Sequence, residues 1–288
     1  MYLQLLVSGL SLGVVYGLIA MGMVLIFRSV GVMNFAQGDF LMLGGYFCYT
    51  FNKMLNLPIG ISLALSAVIM AICGIIFQSV AYWPLRKAMD KTIIVSTLGA
   101  SIALKEVANL VWGPIPLSVD PVIKGVLRTD AMVVQWQYIV IIVISAILML
   151  GVYLLLEKTF IGNIMQATAQ DQYTASLMGI PVMLAIALTF GVSIMMAGIG
   201  GMLLAPVFFL TNTMGVNAGV KAFAAIIIGG FGSVQGAILG GLIVGLVEAF
   251  GGAFISTTYK DIVVFAVLIL TLMFRPQGIF GTKISEKV

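Results

Sequence analysis

Ionisable residues stand among apolar neighbours at three places in this sequence, where they are candidates for chemistry. Asp39 closes the polar run Asn34-Phe35-Ala36-Gln37-Gly38-Asp39. Lys105 and Glu106 interrupt the apolar stretch from Thr92 to Trp112, and Glu248 stands alone between Val234 and Ala253. A charge at membrane depth is costly unless it is paired or faces water, so each marks a pathway, a proton relay or an ion pair. Lys105 and Glu106 project about 100° apart on a helix and need not pair with each other. Plain structural roles compete at each position: a helix cap for Asp39, a snorkelling stem for Lys105, a place near the membrane surface for Glu248.

Other chemistry is excluded by composition. The chain has no histidine, so it offers no imidazole base, shuttle or metal ligand. Cys48 and Cys73 lie in apolar surroundings without pair-like spacing and support neither a metal site nor a disulfide framework. The run from Ala225 to Gly236 has the look of a strand entering a glycine-rich nucleotide loop. Its spacing, Gly230-x-Gly232-x-x-x-Gly236, is one residue longer than the dinucleotide fingerprint, and no alternation of strands and helices surrounds it. No Gly-x-x-x-x-Gly-Lys-Ser/Thr loop occurs either. The expectation is a chain without catalytic residues, metal or cofactor of its own.

The elements that hold these residues follow from hydropathy. Of 288 residues, 61% are hydrophobic and 8% charged, against about 25% charged in soluble domains, and mean hydropathy is +1.19. So few charges cannot cover a water-soluble surface. Charge-poor intervals at Met1 to Phe27, Asn34 to Asn52, Met54 to Leu85, Thr92 to Trp112, Ala131 to Leu156, Val182 to Ala205, Pro206 to Ile228, Val234 to Ala253 and Asp261 to Phe274 read as about nine passes, one short and broken. The first has no basic stretch before it and no cleavage site after it, and reads as a retained helix rather than a signal peptide.

Loop charge supports that count. With Pro206 to Ile228 and Val234 to Ala253 as separate passes, Arg28, Arg86, Lys87, Lys91, Lys158, Arg275, Lys283 and Lys287 fall on one side. Lys53, Lys124, Arg128 and Lys260 fall on the other. The richer side is the cytoplasm, which places the amino terminus outside and the carboxyl terminus inside. The 14 Lys and Arg are scattered singly, a loop pattern rather than a nucleic-acid surface. Residues 1–288 read as a single membrane domain in an all-α polytopic helix bundle. The longest external polar segment, Gly113 to Asp130, is too short for a binding domain, so any capture or energy-converting module is expected on another polypeptide.

Glycine spacing adds how the helices meet. Gly9, Gly13 and Gly17 share a helix face, as do Ala197, Gly201 and Ala205, and Gly232, Gly236 and Gly240 beside Ala237, Gly241 and Gly245. Small residues four apart let backbones approach where lipid offers no hydrophobic driving force. Internal packing and partner helices are both compatible with such stripes. Separately, Phe160 to Pro181 has helical spacing on the expected cytoplasmic side, with Met165, Ala169, Ala175 and Leu177-Met178 apolar and Gly179 as a stop before Pro181. It reads as a short interfacial helix, either a docking knob or a surface helix without partner.

Four motifs then become recognisable in order. Asn34-Phe35-Ala36-Gln37-Gly38-Asp39-Phe40-Leu41-Met42-Leu43-Gly44 resembles a signature of LivH-type permeases, membrane subunits of branched-chain amino acid ABC importers. So do Gln166-Ala167-Thr168-Ala169-Gln170-Asp171 with Leu177-Met178-Gly179-Ile180, Lys221-Ala222-Phe223 leading into Ile228-Gly229-Gly230-Phe231-Gly232-Ser233, and the ending Phe274-Arg275-Pro276-Gln277-Gly278-Ile279-Phe280-Gly281. The likeness spans essentially the whole chain. It implies a multi-pass protein of the bacterial inner membrane that pairs with a second, LivM-like permease. It also implies two docked ABC ATPase subunits and substrate delivered by an extracytoplasmic binding protein. The resemblance assigns the 160–181 segment to ATPase coupling, with Gly162, Ala167, Ala169, Asp171 and Gly179 as its residues. In two places the chain departs from the family. Asn163 and Gln166 stand where arginines are usual, and Lys105-Glu106 where relatives tend to be uncharged.

The expected mechanism is import driven by ATP hydrolysis in partner subunits, with this chain supplying a path and a two-state packing arrangement. A zwitterionic aliphatic amino acid needs polar groups for its two charges and small-residue walls for its side chain, which broken helices with free backbone groups supply. Asn34, Gln37, Asp39, Asn212, Thr213 and Glu248 are the path candidates. The rivals are a secondary transporter with Asp39 or Glu248 carrying a coupling proton, and a channel for small neutral solutes such as urea or amides.

Overall fold

The computed structural model describes residues 2–129 and 132–281. Met1, Asp130, Ala131 and the tail from 282, with Lys283 and Lys287, lie outside the described residues. Chain order is α1 (Tyr2–Val30), α2 (Gln37–Tyr49), α3 (Ile59–Phe77), α4 (Asp90–Trp112), a hairpin of β1 (Val126–Thr129) and β2 (Met132–Gln135), then α5 (Trp136–Lys158). There follow α6 (Phe160–Gln170), α7 (Gln172–Leu177), α8 (Val182–Leu204), α9 (Met214–Gly229), α10 (Val234–Phe254) and α11 (Lys260–Phe274). The result is an all-α polytopic bundle. Six helices, α1, α3 with its extension to Leu85, α4, α5, α8 and α10, are long and apolar enough to cross a membrane; α9 is shorter.

The bundle is organised around α1, which packs on α10, α8, α5, α9, α6 and α2. Between lipid-immersed helices, close van der Waals contact replaces hydrophobic collapse as the main attraction, and small residues allow it. The Gly9-Gly13-Gly17 stripe meets Gly241 and Gly245 of α10, so both stripes serve internal packing. A Cβ on Gly13 would lie 2.8 Å from Leu242 Cα. In the same way Gly201 of α8 lies against Leu41 of α2, and Gly236 and Gly240 of α10 lie against Gly229 and Ala225 of α9. Helices α9 and α10 are therefore two antiparallel neighbours joined at Gly230–Ser233, not one continuous pass.

The charged groups sort to two ends. At one end Arg28 Nε donates to Gly232 O at 2.6 Å, Gln172 donates to Ser29 O at 2.7 Å, and the chain after Arg275 returns so that Ile279 and Phe280 N–H reach Ile228 and Gly229 O. At the other, Lys53 pairs with Asp120 at 2.6 Å, and Leu117 bridges Leu210. Gln137, 1% exposed, ties this end to α8. Its Oε1 accepts from Val122 N–H and its Nε2 donates to Leu203 O, both at 3.0 Å.

Two sequence expectations change. The span expected to begin at Ala131 begins at Trp136, because Val126–Thr129 and Met132–Gln135 satisfy each other's backbone as an antiparallel hairpin. The single helix expected over Phe160 to Pro181 is two, split at Asp171. That carboxylate accepts from Tyr173 and Thr174 N–H, capping α7 and ending α6. Gly179 follows with φ +81°, a left-handed turn that leads to Pro181.

Candidate functional site

Helix α2 starts inside the bundle rather than at its end. The non-helical segment 31–36 climbs back from the end of α1. Gln37 then donates through Nε2 to both O and Oγ of Ser193 at 3.0 Å, and Ser193 is the middle residue of α8. Irregular backbone at that depth must be satisfied by protein. Here Asn34 Oδ1 accepts from Ala36 N–H at 3.1 Å, Asn34 Nδ2 reaches Gln37 Oε1 at 3.3 Å, and Thr97 Oγ1 accepts from Phe35 N–H at 3.3 Å. Asn34 and Gln37 stand out in sequence by their polarity, and in the structure their side chains hydrogen-bond this break and Ser193.

Helix α9 starts beside the same break. After Pro206 the chain leaves α8 and returns through Thr211–Thr213. Gly215 then packs directly on α2, where a Cβ would stand 2.8 Å from Asp39 Cα. Neither Ala36 before α2 nor Thr213 before α9 caps its helix with a side chain. The Gly215 and Val216 N–H groups find no acceptor among the described residues. Two helix starts with positive dipole ends therefore meet at mid-bundle.

Asp39 sits between them, 1% exposed, and its Oδ1 has no hydrogen-bond partner among the described residues. Its neighbour on α4 is Ser101, the middle residue of that helix, with Lys105 one turn further along and in no ion pair among the described residues. Thr97, Ser101, Lys105 and Asn109 stand four apart, so they form one polar stripe along α4. Thr97 binds the break, Ser101 stands by Asp39, Lys105 follows one turn beyond, and Asn109 Oδ1 accepts from Asn212 Nδ2 at 3.0 Å. The stripe was missed from sequence except for Lys105; its signal was the four-residue spacing of polar residues in a membrane span. Its side of the bundle is open, with Phe35, Val216 and Val220 all exposed.

Of the path candidates, the structure thus brings together Asn34, Gln37, Asp39, Asn212 and Thr213. Glu248 lies elsewhere. Its Oε2 accepts from Tyr16 OH at 2.7 Å, and its Oε1 stands 2.6 Å from Lys221 Nζ and 2.7 Å from Lys260 Nζ. Lys221 also approaches Asp261 at 2.9 Å, so the cluster ties α1, α9, α10 and α11. In sequence Lys221 opens the motif Lys221-Ala222-Phe223 but is not paired with Glu248, although the two bracket an uncharged run and both fall in apolar spans.

The α6–α7 pair lies at the end of the bundle that carries Arg28. Gly162 is buried on α5, where a Cβ would meet Leu156 Cα at 2.6 Å, and Ala167 and Ala169 are half-buried. Tyr173, Leu177 and Met178 project from α7 and are 73%, 70% and 78% exposed, an apolar knob beside exposed Gly179. Asp171 is held below the usual carboxylate range by the Thr174 hydroxyl, joined by backbone donors from Thr174 and Tyr173. Asn163 is exposed, and Gln166 turns inward to donate to Leu156 O at 2.7 Å.

Comparison with known proteins agrees with this architecture. Residues 5–272 match the family model for the permease component of branched-chain amino acid transport systems. The high-affinity branched-chain amino acid transport system permease protein BraD of Pseudomonas aeruginosa is 35% identical over 100% of this chain and 98% of its own length. The corresponding LivH protein of Escherichia coli is 34% identical with the same coverage. PsaBC from Streptococcus pneumoniae in complex with Fab superposes with a TM-score of 0.48 at 13% identity, covering 94% of this chain and 91% of that one. By the full-length match and these relatives, the chain is a multi-pass membrane protein that belongs to the permease component family of branched-chain amino acid transport systems.

Proposed function

We propose that this chain is the permease subunit of an importer that moves branched-chain amino acids across the bacterial inner membrane, with ATP hydrolysed on separate partner subunits. The observation that carries the path assignment is the meeting of two uncapped helix starts beside Asp39, whose Oδ1 has no partner among the described residues, halfway through the bundle. A free amino acid is a zwitterion, and this arrangement answers both of its charges. Asp39 Oδ1 takes the ammonium; the Gly215 and Val216 amides take the carboxylate. The glycine-lined contact of α2 with α9 leaves the aliphatic side chain to the open side, where exposed Phe35 and Val216 supply apolar contact.

That open side is where a second, LivM-like permease closes the path. The apolar knob Tyr173-Leu177-Met178 docks an ATPase at the cytoplasmic end, and α6 carries its movement to α5 through Gly162. The hairpin end receives the extracytoplasmic binding protein. Inward transport then follows from two packings of these helices, biased by ATP on the partners. The test is reconstitution of the chain with its neighbouring permease, ATPases and binding protein in proteoliposomes. ATP-dependent leucine uptake that falls about 10- to 100-fold in Asp39→Asn, the loss of one charge-assisted hydrogen bond, supports the reading. Undiminished uptake in that variant removes Asp39 from the path.

A further inference from the structure

A cavity of about 450 Å³ opens at the end of the bundle that carries Arg28, between α1, α5, α6, α8 and α10. Its size suits a small organic ligand. It is separate from the α2–α9 break and shares no residue with it.

The lining has three chemical parts. Buried Leu25, Leu156 and Met165 form an apolar floor. At the mouth stand one cation and one anion, Arg28 and Glu157, neither of which has an ion-pair partner among the described residues. Arg28 spends Nε on Gly232 O at 2.6 Å, which fixes its guanidinium and leaves the terminal nitrogens free. The third part is unspent polarity. The start of α10 lines the wall with Val234 and Gln235, whose N–H groups have no acceptor among the described residues, while Ser233 Oγ accepts from Gly236 N–H at 3.0 Å. Ser29, 4% exposed, also lines the cavity, and its Oγ is buried without a partner.

A ligand that is only anionic would meet Glu157, and one that is only apolar would strand Arg28, Ser29 and the α10 amides. A molecule with one carboxylate, one ammonium and a short aliphatic side chain satisfies all of them. We propose that this cavity is a second amino-acid site, read from the cytoplasmic side, with Arg28 and the α10 start on the carboxylate, Glu157 on the ammonium and the Leu25-Leu156 floor on the side chain. Gln166 and Ala169 of α6 form one wall, so occupancy pins α6 against α1 and α5. Accumulated product thereby slows the transporter. The regulatory sense of the site rests on the import function proposed above; its ligand chemistry does not.

The experiment uses the reconstituted complex with ATP and graded leucine inside the vesicles, and labelled leucine with binding protein outside. Internal leucine is expected to cut the uptake rate about tenfold. In Arg28→Gln the uptake without internal leucine stays at the wild-type rate, and the inhibition constant rises by about tenfold or more, as expected for one lost charge-assisted contact. Equilibrium binding of labelled leucine to the complex without binding protein gives the second measurement. An Arg28-dependent component that leucinamide fails to displace, and that weakens in Glu157→Gln, supports the site should Arg28→Gln fold poorly. Uptake that ignores internal leucine, inhibition equal in the wild type and Arg28→Gln, or an Arg28 effect that follows anionic lipid content instead of leucine overturns it. Absent ATP-driven uptake with intact Arg28-dependent leucine binding would remove the import function and leave the site standing.

Discussion

Replacing Glu248 with methionine removes the centre of the charge cluster that joins α1, α9, α10 and α11. The carboxylate is 3% exposed in its side chain and takes Tyr16 OH, Lys221 and Lys260 within 2.7 Å. Its loss leaves Lys221, 8% exposed, with half-exposed Asp261 as its remaining ionic partner. Breaking a buried pair by removing one member costs about 3–5 kcal/mol. Because the Asp261 contact survives, the expected loss is at the lower end, about 3 kcal/mol, or about two decades in the folding equilibrium. Lys221→Met costs less, about 2 kcal/mol, since Glu248 keeps Lys260 and Tyr16. The double variant Glu248→Met/Lys221→Met leaves Lys260 free to turn to its neighbour Asp261, so its loss falls short of the two singles combined by about 1–3 kcal/mol. The assay is unfolding of the purified protein by titrating sodium dodecyl sulfate into mixed micelles, followed by helical circular dichroism. A Glu248→Met loss under about 1 kcal/mol, or strict additivity in the double variant, would refute the reasoning.

Other outcomes follow from single contacts. Gly245→Val forces a side chain into the backbone of Gly13 and should destabilise the α1–α10 contact by about 1–3 kcal/mol or more in the same titration. At Asp171 the folded-state carboxyl titrates below its unfolded value, so its cap is present at neutral pH and lost as pH falls through that depressed value, below about pH 4. Hydrogen-exchange protection of α7, taken relative to the intrinsic rate at each pH, should therefore be unchanged from pH 7 to pH 5, and Asp171→Ala should lower it severalfold throughout while α8 stays protected. Lys53→Ala breaks an exposed pair with Asp120, 38% and 49% exposed, and should cost less than about 1 kcal/mol.

Much of the fold was legible because lipid imposes simple rules. Apolar length gave the long helices and loop cations sorted to two ends, whereas Asn34 to Asp39 reads in sequence only as the polar opening of the second span, because nothing local places that opening at mid-bundle beside Ser193. The glycine stripe at Gly9, Gly13 and Gly17 was legible as close packing, but not its partner α10, since spacing names a face and not a neighbour. The split at Asp171 was hidden because Asp171 and Thr174 fit either a continuous helix or a cap, and only the backbone decides. Hairpin β1–β2 was absorbed into an apolar span because Met132, Val133 and Val134 are as compatible with a helix start as with a strand. Glu248 was read by itself as a path group; its three donors come from α1, α9 and α11, so its environment is entirely long-range. Lys105 was conspicuous as a charge, whereas the stripe that gives it meaning is made of threonine, serine and asparagine, which attract no notice singly.

The division of labour, a path in this chain and the energy source in its partners, is tested most directly by what drives uptake in proteoliposomes. With the second permease, ATPases and binding protein present, labelled leucine should accumulate only when ATP is supplied, and omission of the ATPases should abolish it whatever the proton gradient. Leucine accumulation by this chain alone, driven by a proton gradient and indifferent to ATP, would contradict it.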